Sequence, residues 1–193
     1  MNRLCMKSTN FAIPLHLDII RLRTMMNEKT LCFLIRGNPP QEVLLGLKKS
    51  GFGAGKFTGI GGGVEDGESI EAAAIRELEE EIGIKTSIHE LYPGGQLTFL
   101  FPFKPSWSQV VHVFLVKKWQ GNPVESEEIK PDWWRFDKIP YVSMWDDASY
   151  WLPLVLQGKK VKAIIIFKDD NETVSETKFE NWDDVEQEKT NGK

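Results

Sequence analysis

The chain is poor in cysteine and contains no long hydrophobic run. Two cysteines in 193 residues exclude a disulfide-stapled scaffold, and Cys5 and Cys32 lack the spacing of a zinc or redox motif. No apolar stretch approaches the length of a membrane-spanning helix, so we expect no membrane association. These absences favour a reduced, cytoplasmic setting and one globular domain that is large enough to bury its own core.

The charge balance and the few histidines exclude further classes of function. A formal net charge of −4 argues against general nucleic-acid binding, so we expect no stable nucleic-acid complex. His16, His89 and His112 show no metal-ligand spacing, and no Ser/His/Asp or Cys/His nucleophile arrangement is evident. We interpret His112 as structural because it lies within an apolar strand.

The two ends of the chain differ in composition from its middle. Residues 1–26 carry four basic side chains against one acid, which fits either an organelle-targeting peptide or a leader that packs on the domain or stays loose. Residues 181–193 are polar. We therefore predict an N-terminal extension over 1–28, a folded domain over 29–180 and a polar C-terminal tail over 181–193.

Hydrophobic patterning of the middle region predicts more strands than helices. The predicted strands are 31–36, 43–47, 96–103, 110–119, 131–136, 161–167 and 173–179, and the predicted helices are 69–82 and 147–157. The run 110–119 is apolar on both faces, so we expect a central strand. This balance predicts an α+β fold in which a mixed sheet carries helices on its faces.

A glycine-rich loop precedes the first predicted helix. Seven glycines lie between positions 51 and 63, a density typical of backbone that bends sharply or approaches a ligand closely. Ser69 has the chemistry of an N-cap and Gly83 that of a C-terminal stop. The loop alone is weak evidence, but at a fixed distance from this helix it predicts a binding site for phosphate or metal.

Acidic residues crowd the C-terminal half of this helix, where the helix dipole favours cations. At about 100° per residue, Glu77, Glu80 and Glu81 share an arc of roughly 100° beside the apolar face, whereas Glu79 points to solvent. Two carboxylates about 5 Å apart repel by roughly 3 kcal/mol beside a core. A solvated acidic face is the alternative interpretation, but bound Mg²⁺ or Mn²⁺ would relieve this repulsion.

The spacing of these residues resembles the Nudix box. Every defined position of that motif is satisfied, by Gly62, Glu68, Arg76, Glu77, Leu78, Glu80, Glu81, Gly83 and Ile84. Segments outside the box resemble the oxidised-purine nucleoside triphosphatase branch of the Nudix hydrolases, the 8-oxo-dGTP diphosphatases. These segments are 43–49, 51–55, 112–114, 121–128, 144–145 and 149–151, so the resemblance covers about residues 29–179.

The resemblance implies a fold, a reaction and a metal. The fold would be a Nudix α/β/α sandwich, and the reaction would convert an oxidised or modified purine nucleoside triphosphate to monophosphate and pyrophosphate, which sanitises the nucleotide pool. Glu77, Glu80 and Glu81 would hold Mg²⁺, for which Mn²⁺ is a possible substitute, with the Gly61 carbonyl and Glu128 as additional ligands. Glu81 or Glu80 would orient or deprotonate the attacking water.

The resemblance also implies which residues contact substrate. Lys48 would meet phosphate or the nucleoside end, Gly62 and Gly63 belong to the glycine loop, and Arg76 with Glu68 would form a structural ion pair. The base pocket would consist of Phe52, Thr58, Phe99, Trp145, Asp147 and Trp151. For Trp145 and Trp151, packing in the core is the alternative role.

Three departures from the pattern bear on substrate choice. The pattern has Asn at Thr58, a second Asp at Ala148 and Lys at Gly63, and polar groups that read a base edge discriminate more strongly than apolar fit does. The metal chemistry is unaffected, whereas the oxidised-purine preference stays open. A Nudix hydrolase for another nucleoside diphosphate derivative and a non-catalytic nucleotide-binding module are the alternatives, and we expect a monomer or weak dimer.

Overall fold

The computed structural model describes residues 26–180 and residue 182. Most of the predicted extension and tail, together with the targeting interpretation of residues 1–26, lies outside these described residues. The first strand begins at Asn27, slightly before the expected start of the domain at Lys29.

Eight strands and two α-helices make up the described part of the chain. The strands are β1 (Asn27–Gly37), β2 (Pro40–Lys48), β3 (Phe57–Thr58), β4 (Leu91–Leu100), β5 (Gln109–Val116), β6 (Ile129–Arg135), β7 (Val161–Phe167) and β8 (Val174–Glu180). The helices are α1 (Ile70–Ile82) and α2 (Ala148–Leu156), and short 3-10 turns cover 88–90, 105–107, 136–138 and 141–143.

The strands form one mixed sheet in the order β3-β2-β1-β5-β4-β7-β8, with β6 paired to β2. The pairs β1–β5 and β4–β7 are parallel, and the other pairs are antiparallel. β5 lies between β1 and β4, as its apolar sequence predicts.

The sheet separates two hydrophobic cores. Because side chains alternate along a strand, Phe33 of β1 packs with Trp151 of α2 on one face, while Leu34 packs with Leu78 of α1 on the other. Helices therefore cover both faces of the mixed sheet, and the predicted α/β/α sandwich is confirmed.

The boundaries of α1 follow from its capping residues. The Ser69 hydroxyl accepts a hydrogen bond from the Ala72 N–H at 3.1 Å. Gly83 takes a left-handed conformation with φ of 70°, and its N–H donates to the Glu79 carbonyl. The predicted start and stop of this helix are both confirmed.

The predicted strand over 96–103 was wrong at both ends. β4 begins at Leu91 because Pro93, Gly94 and Gly95 are accommodated by a register shift against β5 instead of forming a turn. β4 ends at Leu100 because Pro102 and Pro105 supply no N–H for a sheet ladder, and the chain continues as a loop.

Two other local features depart from the sequence patterns. The short strand β3 pairs with β2 and was not predicted from the glycine-rich stretch that contains it. Pro153 lies inside α2 beyond its first turn, where it removes one helical donor. No helix within residues 26–180 and 182 is long and apolar enough to cross a membrane.

Candidate active site

The acidic trio of α1, Glu77, Glu80 and Glu81, ranges from a buried to an exposed side chain. The exposed fraction of the side chain is 8% for Glu81, 14% for Glu77 and 60% for Glu80. Glu79 points away from them and pairs with Lys85 at 3.1 Å. The helical wheel therefore separated Glu79 from the other three correctly.

Arg76 holds the acidic helix to the glycine loop. Its guanidinium donates to both carboxylate oxygens of Glu68, at 3.0 and 2.9 Å, and to the Gly63 carbonyl at 2.8 Å. It also donates to Glu77 at 2.9 Å and to Glu80 at 3.0 Å. The hydrogen bonds from Arg76 lower the pKa of Glu68. The pair with Glu68 matches the expected ion pair, whereas the bonds to two acids of the trio were not anticipated.

Glu81 is the buried carboxylate of the trio, and its environment suits a proton acceptor. The Gly61 N–H donates to its Oε2 at 3.0 Å, and the Lys48 ammonium lies 3.4 Å from its Oε1. Burial raises the pKa of Glu81, and a carboxyl group with a raised pKa is a stronger base at neutral pH. The Lys48 ammonium also lies 3.7 Å from the exposed carboxylate of Glu128, so it links the loop between β5 and β6 to α1.

The loop passes closely beneath α1 and beside β1, and the backbone contact at Gly61 requires glycine. A Cβ on Gly62 would overlap the Glu77 carboxylate, and a Cβ on Gly61 would overlap the Thr30 carbonyl oxygen. The loop is held beside β1 by the Thr30 N–H, which donates to the Gly62 carbonyl at 2.9 Å. The sequence therefore brings bare backbone against the buried end of the acidic trio.

The donor set has the chemistry of a hard-cation site. Glu77, Glu80, Glu81 and Glu128 offer only oxygen ligands, which Mg²⁺ and Mn²⁺ prefer. Among the described residues, no three His, Cys, Asp or Glu side chains converge closely enough to hold a metal ion. The residue types themselves fit a divalent cation. In this structure, however, the four carboxylates form ion pairs with Arg76 and Lys48 instead of converging on one point.

A cavity of about 220 Å³ adjoins this acidic end. Eight of the nine predicted substrate residues line it, namely Lys48, Phe52, Thr58, Gly62, Phe99, Trp145, Asp147 and Trp151. Gly63 is not among the lining residues. Sequence reasoning missed other lining residues, including Lys29, Phe101, Gln109 and Phe167. Strand alternation carried a signal for two of them, because Lys29 and Gln109 lie two residues before the cavity-lining Leu31 and Val111.

Aromatic rings form the walls of the cavity. The Phe52 and Trp145 rings stack with centroids 4.9 Å apart, and Trp107, which is not among the cavity-lining residues, meets Phe52 edge-on at 4.9 Å. The Phe101 and Phe167 rings stack at 4.3 Å. Because the rings of each pair contact each other, a planar ligand would lie against their outward faces and edges and not between them.

One buried carboxylate lines the same cavity as these aromatic rings. Asp147 accepts a hydrogen bond from the Trp151 indole N–H at 2.7 Å, and burial raises the pKa of Asp147 to about 6. Asp146 is engaged elsewhere, because its carboxylate accepts from the Val174 N–H of β8 at 2.8 Å. Ala148 lines the cavity without a polar group. Trp151 lines the cavity and is also packed in the core, so the two interpretations of that residue are compatible.

Comparison with known proteins identifies the family. Residues 26–155 match the NUDIX domain family. The oxidized purine nucleoside triphosphate hydrolase of Mus musculus is 43% identical over 150 residues, which cover 78% of this chain and 94% of that protein. The Danio rerio protein of the same name is 41% identical over 146 residues, which cover 76% and 91%.

A solved structure shows the same fold at much lower identity. The MutT protein from Bacillus halodurans superposes with a TM-score of 0.67 and 20% identity, covering 80% of this chain and 98% of that one. The family match spans more than half of the chain and includes the acidic helix and the cavity residues up to Trp151. The chain belongs to the Nudix hydrolase family.

Proposed function

We propose that this protein is a Mg²⁺-dependent pyrophosphohydrolase that converts purine nucleoside triphosphates, oxidised purines included, to monophosphate and pyrophosphate. The observation that carries the proposal is the junction between the acidic helix and the aromatic cavity. Lys48 lines the cavity and contacts Glu81, while Gly62 lines the cavity and abuts Glu77. A nucleotide whose base lies in the cavity would therefore extend its phosphates towards the acids.

The substrate class is supported by the cavity and by the relatives. Stacked aromatic walls suit a purine ring, and buried Asp147 offers a polar group to its edge. Two relatives that align over more than nine-tenths of their own length carry the name oxidized purine nucleoside triphosphate hydrolase. Sanitation of the nucleotide pool in the cytoplasm is the biological role that we infer from this substrate class.

The mechanism assigns separate tasks to the residues of the site. Glu77, Glu80 and Glu81 would hold Mg²⁺ with the Gly61 carbonyl and Glu128. When bound, the cation neutralises phosphate charge and makes water more acidic. Glu81, the most buried acid of the trio, would accept the proton of the attacking water.

Other residues position these groups. Arg76 and Glu68 would fix the acidic helix against the glycine loop, and Lys48 would contact the phosphate chain. Phe52 and Trp145 would exclude water from the base and orient it.

A substrate panel tests this proposal. Pyrophosphate release would be measured with Mg²⁺ for 8-oxo-dGTP, dGTP, dATP and dCTP, in the wild-type protein and in Glu81→Gln. We expect the purine triphosphates to be cleaved by the wild type and not by the variant. Binding of a purine triphosphate without turnover of any member of the panel would overturn the proposal and favour a non-catalytic nucleotide-binding module. Full activity of Glu81→Gln would overturn the assigned role of Glu81.

The preference among purines is tested at Ala148. The substitution Ala148→Asp places a second carboxylate beside Asp147 in the cavity lining. If the presence of only one carboxylate at the base edge limits discrimination between oxidised and ordinary guanine, the ratio of kcat/KM for 8-oxo-dGTP to that for dGTP will rise in this variant. An unchanged ratio in a folded, active variant would show that the oxidised base is selected elsewhere.

A further inference from the structure

Two lysines line the cavity, and they differ in their partners. Lys48 is engaged by carboxylates, at 3.4 Å from Glu81 and 3.7 Å from Glu128. Lys29 of β1 has no carboxylate within 4.0 Å among residues 26–180 and 182. Lys29, a half-buried residue, is therefore a cation of the cavity lining that this part of the chain does not neutralise.

The Lys29 side chain reaches the glycine loop. Lys29 forms a β-bridge with Gly63, and its Nζ lies 3.3 Å from the point where a Cβ on Gly63 would be. The next loop residue towards the N-terminus, Gly62, abuts the Glu77 carboxylate. The ammonium thus lies beside the glycine loop, next to the loop residue that abuts the acidic helix.

Strand alternation fixes which side of the sheet Lys29 faces. Lys29, Leu31 and Phe33 are at alternate positions of β1, and all three line the cavity. In β5, the parallel partner of Lys29 is Val111, which also lines it. The lysine is therefore part of the cavity side of the sheet.

We propose that Lys29 binds the phosphate chain of the substrate at the glycine loop. The inference rests on the proposed function, because that function brings a polyanion to the junction of cavity and acidic helix. Lysine binds phosphate as a compact point charge, and Lys29 is a half-buried residue of the cavity lining. Arg76 and Lys48 share their charge with carboxylates, whereas Lys29 would bring to the phosphate chain a cation that no carboxylate of the described residues contacts.

Binding measurements test this role without requiring turnover. The affinity for the α,β-methylene analogue of dGTP and for uncharged deoxyguanosine would be measured by calorimetry with Mg²⁺. The variants are Lys29→Gln, Lys29→Arg and the control Lys178→Gln, an exposed lysine on the edge strand β8.

We expect Lys29→Gln to weaken binding of the triphosphate analogue by about tenfold or more, because a hydrogen bond to a charged group is lost. Deoxyguanosine should change by less than about twofold, and Lys29→Arg and Lys178→Gln should bind the analogue like the wild type. An equal loss for both ligands, or no loss for the analogue, would overturn the proposal.

Moving the positive charge from position 29 to position 63 provides a sharper test. Gly63 has no positive φ, so its backbone accepts a side chain, and the space near its Cβ is vacated when Lys29 is replaced. In the Lys29→Gln background, we expect Gly63→Lys to restore most of the affinity for the analogue and Gly63→Gln to restore none. Equal behaviour of these two double variants would contradict a role of charge at this point.

Metal binding separates phosphate recognition from simple balancing of the acids. Mn²⁺ would be titrated in the absence of nucleotide, with its free fraction read by electron paramagnetic resonance. We expect the same Mn²⁺ affinity in the wild type and in Lys29→Gln. Tighter Mn²⁺ binding in the variant would mean that Lys29 serves to balance the carboxylates. A protein that binds the analogue but cleaves no triphosphate would refute the proposed function while leaving the role of Lys29 supported.

Discussion

The two ends of the site are built in different ways. The acidic end comes mainly from one continuous stretch, residues 61–81, whose geometry is set by a glycine loop and a capped helix. The aromatic end is assembled from separate segments that contribute Phe52, Phe101, Trp145 and Phe167. Under the proposed function, the reaction would therefore be encoded in local spacing, whereas the choice of base would depend on tertiary structure.

The two ends also differ in how they treat charge. At the acidic end, Arg76 forms ion pairs with Glu77 and Glu80, and Lys48 forms one with Glu81. At the aromatic end, the carboxylate of Asp147 is buried and held by a neutral indole N–H. One end is organised by ion pairs that a metal and a phosphate chain can rearrange, and the other by desolvation. Substitutions at the two ends should therefore change different measured quantities.

The largest effect is expected at Glu81. Glu81→Gln removes a proton acceptor while an amide oxygen can still accept from the Gly61 N–H, so kcat should fall by about 10²- to 10⁴-fold with little change in folding. Glu79→Gln is the matched control on the same helix, and its kcat should stay within about twofold because, among the described residues, Glu79 forms an ion pair with Lys85 alone. Equal kcat values for the two variants would contradict the distinction between the acidic trio, which includes Glu81, and Glu79, which faces solvent.

Removing an aromatic wall should affect nucleotide binding more than chemistry. Trp145→Ala loses base stacking worth about 1–3 kcal/mol, so KM for a purine triphosphate should rise by about 5- to 150-fold. Trp133→Ala serves as the control, because Trp133 stacks on Trp119 and does not line the cavity. Steady-state kinetics would distinguish them, and a fall in kcat alone for Trp145→Ala would place this residue with the acidic end.

The ion-pair clamp should matter for stability. Arg76→Lys cannot reproduce the fork to Glu68 or the bond to Gly63, so the free energy of unfolding should fall by about 2–3 kcal/mol. Arg135→Lys removes a similar fork to Asp137 at an exposed position and should leave the free energy of unfolding nearly unchanged. Urea unfolding measures both, and equal losses would show that burial of the clamp is unimportant.

The smallest expected effect is a pH-dependent change at Asp147. Because burial raises its pKa from 3.8 to about 6, the folded state holds the proton more tightly than the unfolded state. The contribution of Asp147 to stability is therefore most favourable below about pH 4 and is lost as the pH rises through about 6. Asp147→Asn should match the wild type near pH 4 and be more stable by about 1–3 kcal/mol at pH 8.

Asp170 supplies the control of opposite sign. Hydrogen bonds from Thr173 and Glu172 lower the pKa of this exposed carboxyl to about 2, so its contribution is present above about pH 4 and is lost as the pH falls through about 2. Asp170→Asn should therefore be less stable than the wild type at pH 8. Chemical unfolding across the pH range measures both variants, and a gain in both would show that burial is not the cause at Asp147.

The same contrast explains what the sequence could predict. The limits of α1 and the separation of Glu79 from the trio depend on contacts within a few residues, and both were predicted correctly. The start of β4 was missed because Pro93 to Gly95 has turn chemistry that a register shift absorbs. The cavity residue Lys29 was missed because its neighbours there come through the parallel pairing of β1 with β5, which joins distant parts of the chain.

Two ion-pair arrangements also escaped sequence reasoning. Arg76 was paired with Glu68 alone, although one guanidinium can serve several acceptors and here also contacts Glu77 and Glu80. Lys48 was assigned to the substrate, and its contact with Glu81 depends on the approach of β2 to α1. Such side-chain partners follow from packing between elements, which periodicity does not reveal.

The most direct test is an identification of the products from 8-oxo-dGTP in the presence of Mg²⁺. Anion-exchange chromatography and a pyrophosphate assay would follow the wild-type protein and Glu81→Gln in parallel. We expect 8-oxo-dGMP and pyrophosphate in equal amounts from the wild type and almost none from the variant. Release of inorganic phosphate with a nucleoside diphosphate, or no turnover of any purine triphosphate, would contradict the proposed reaction.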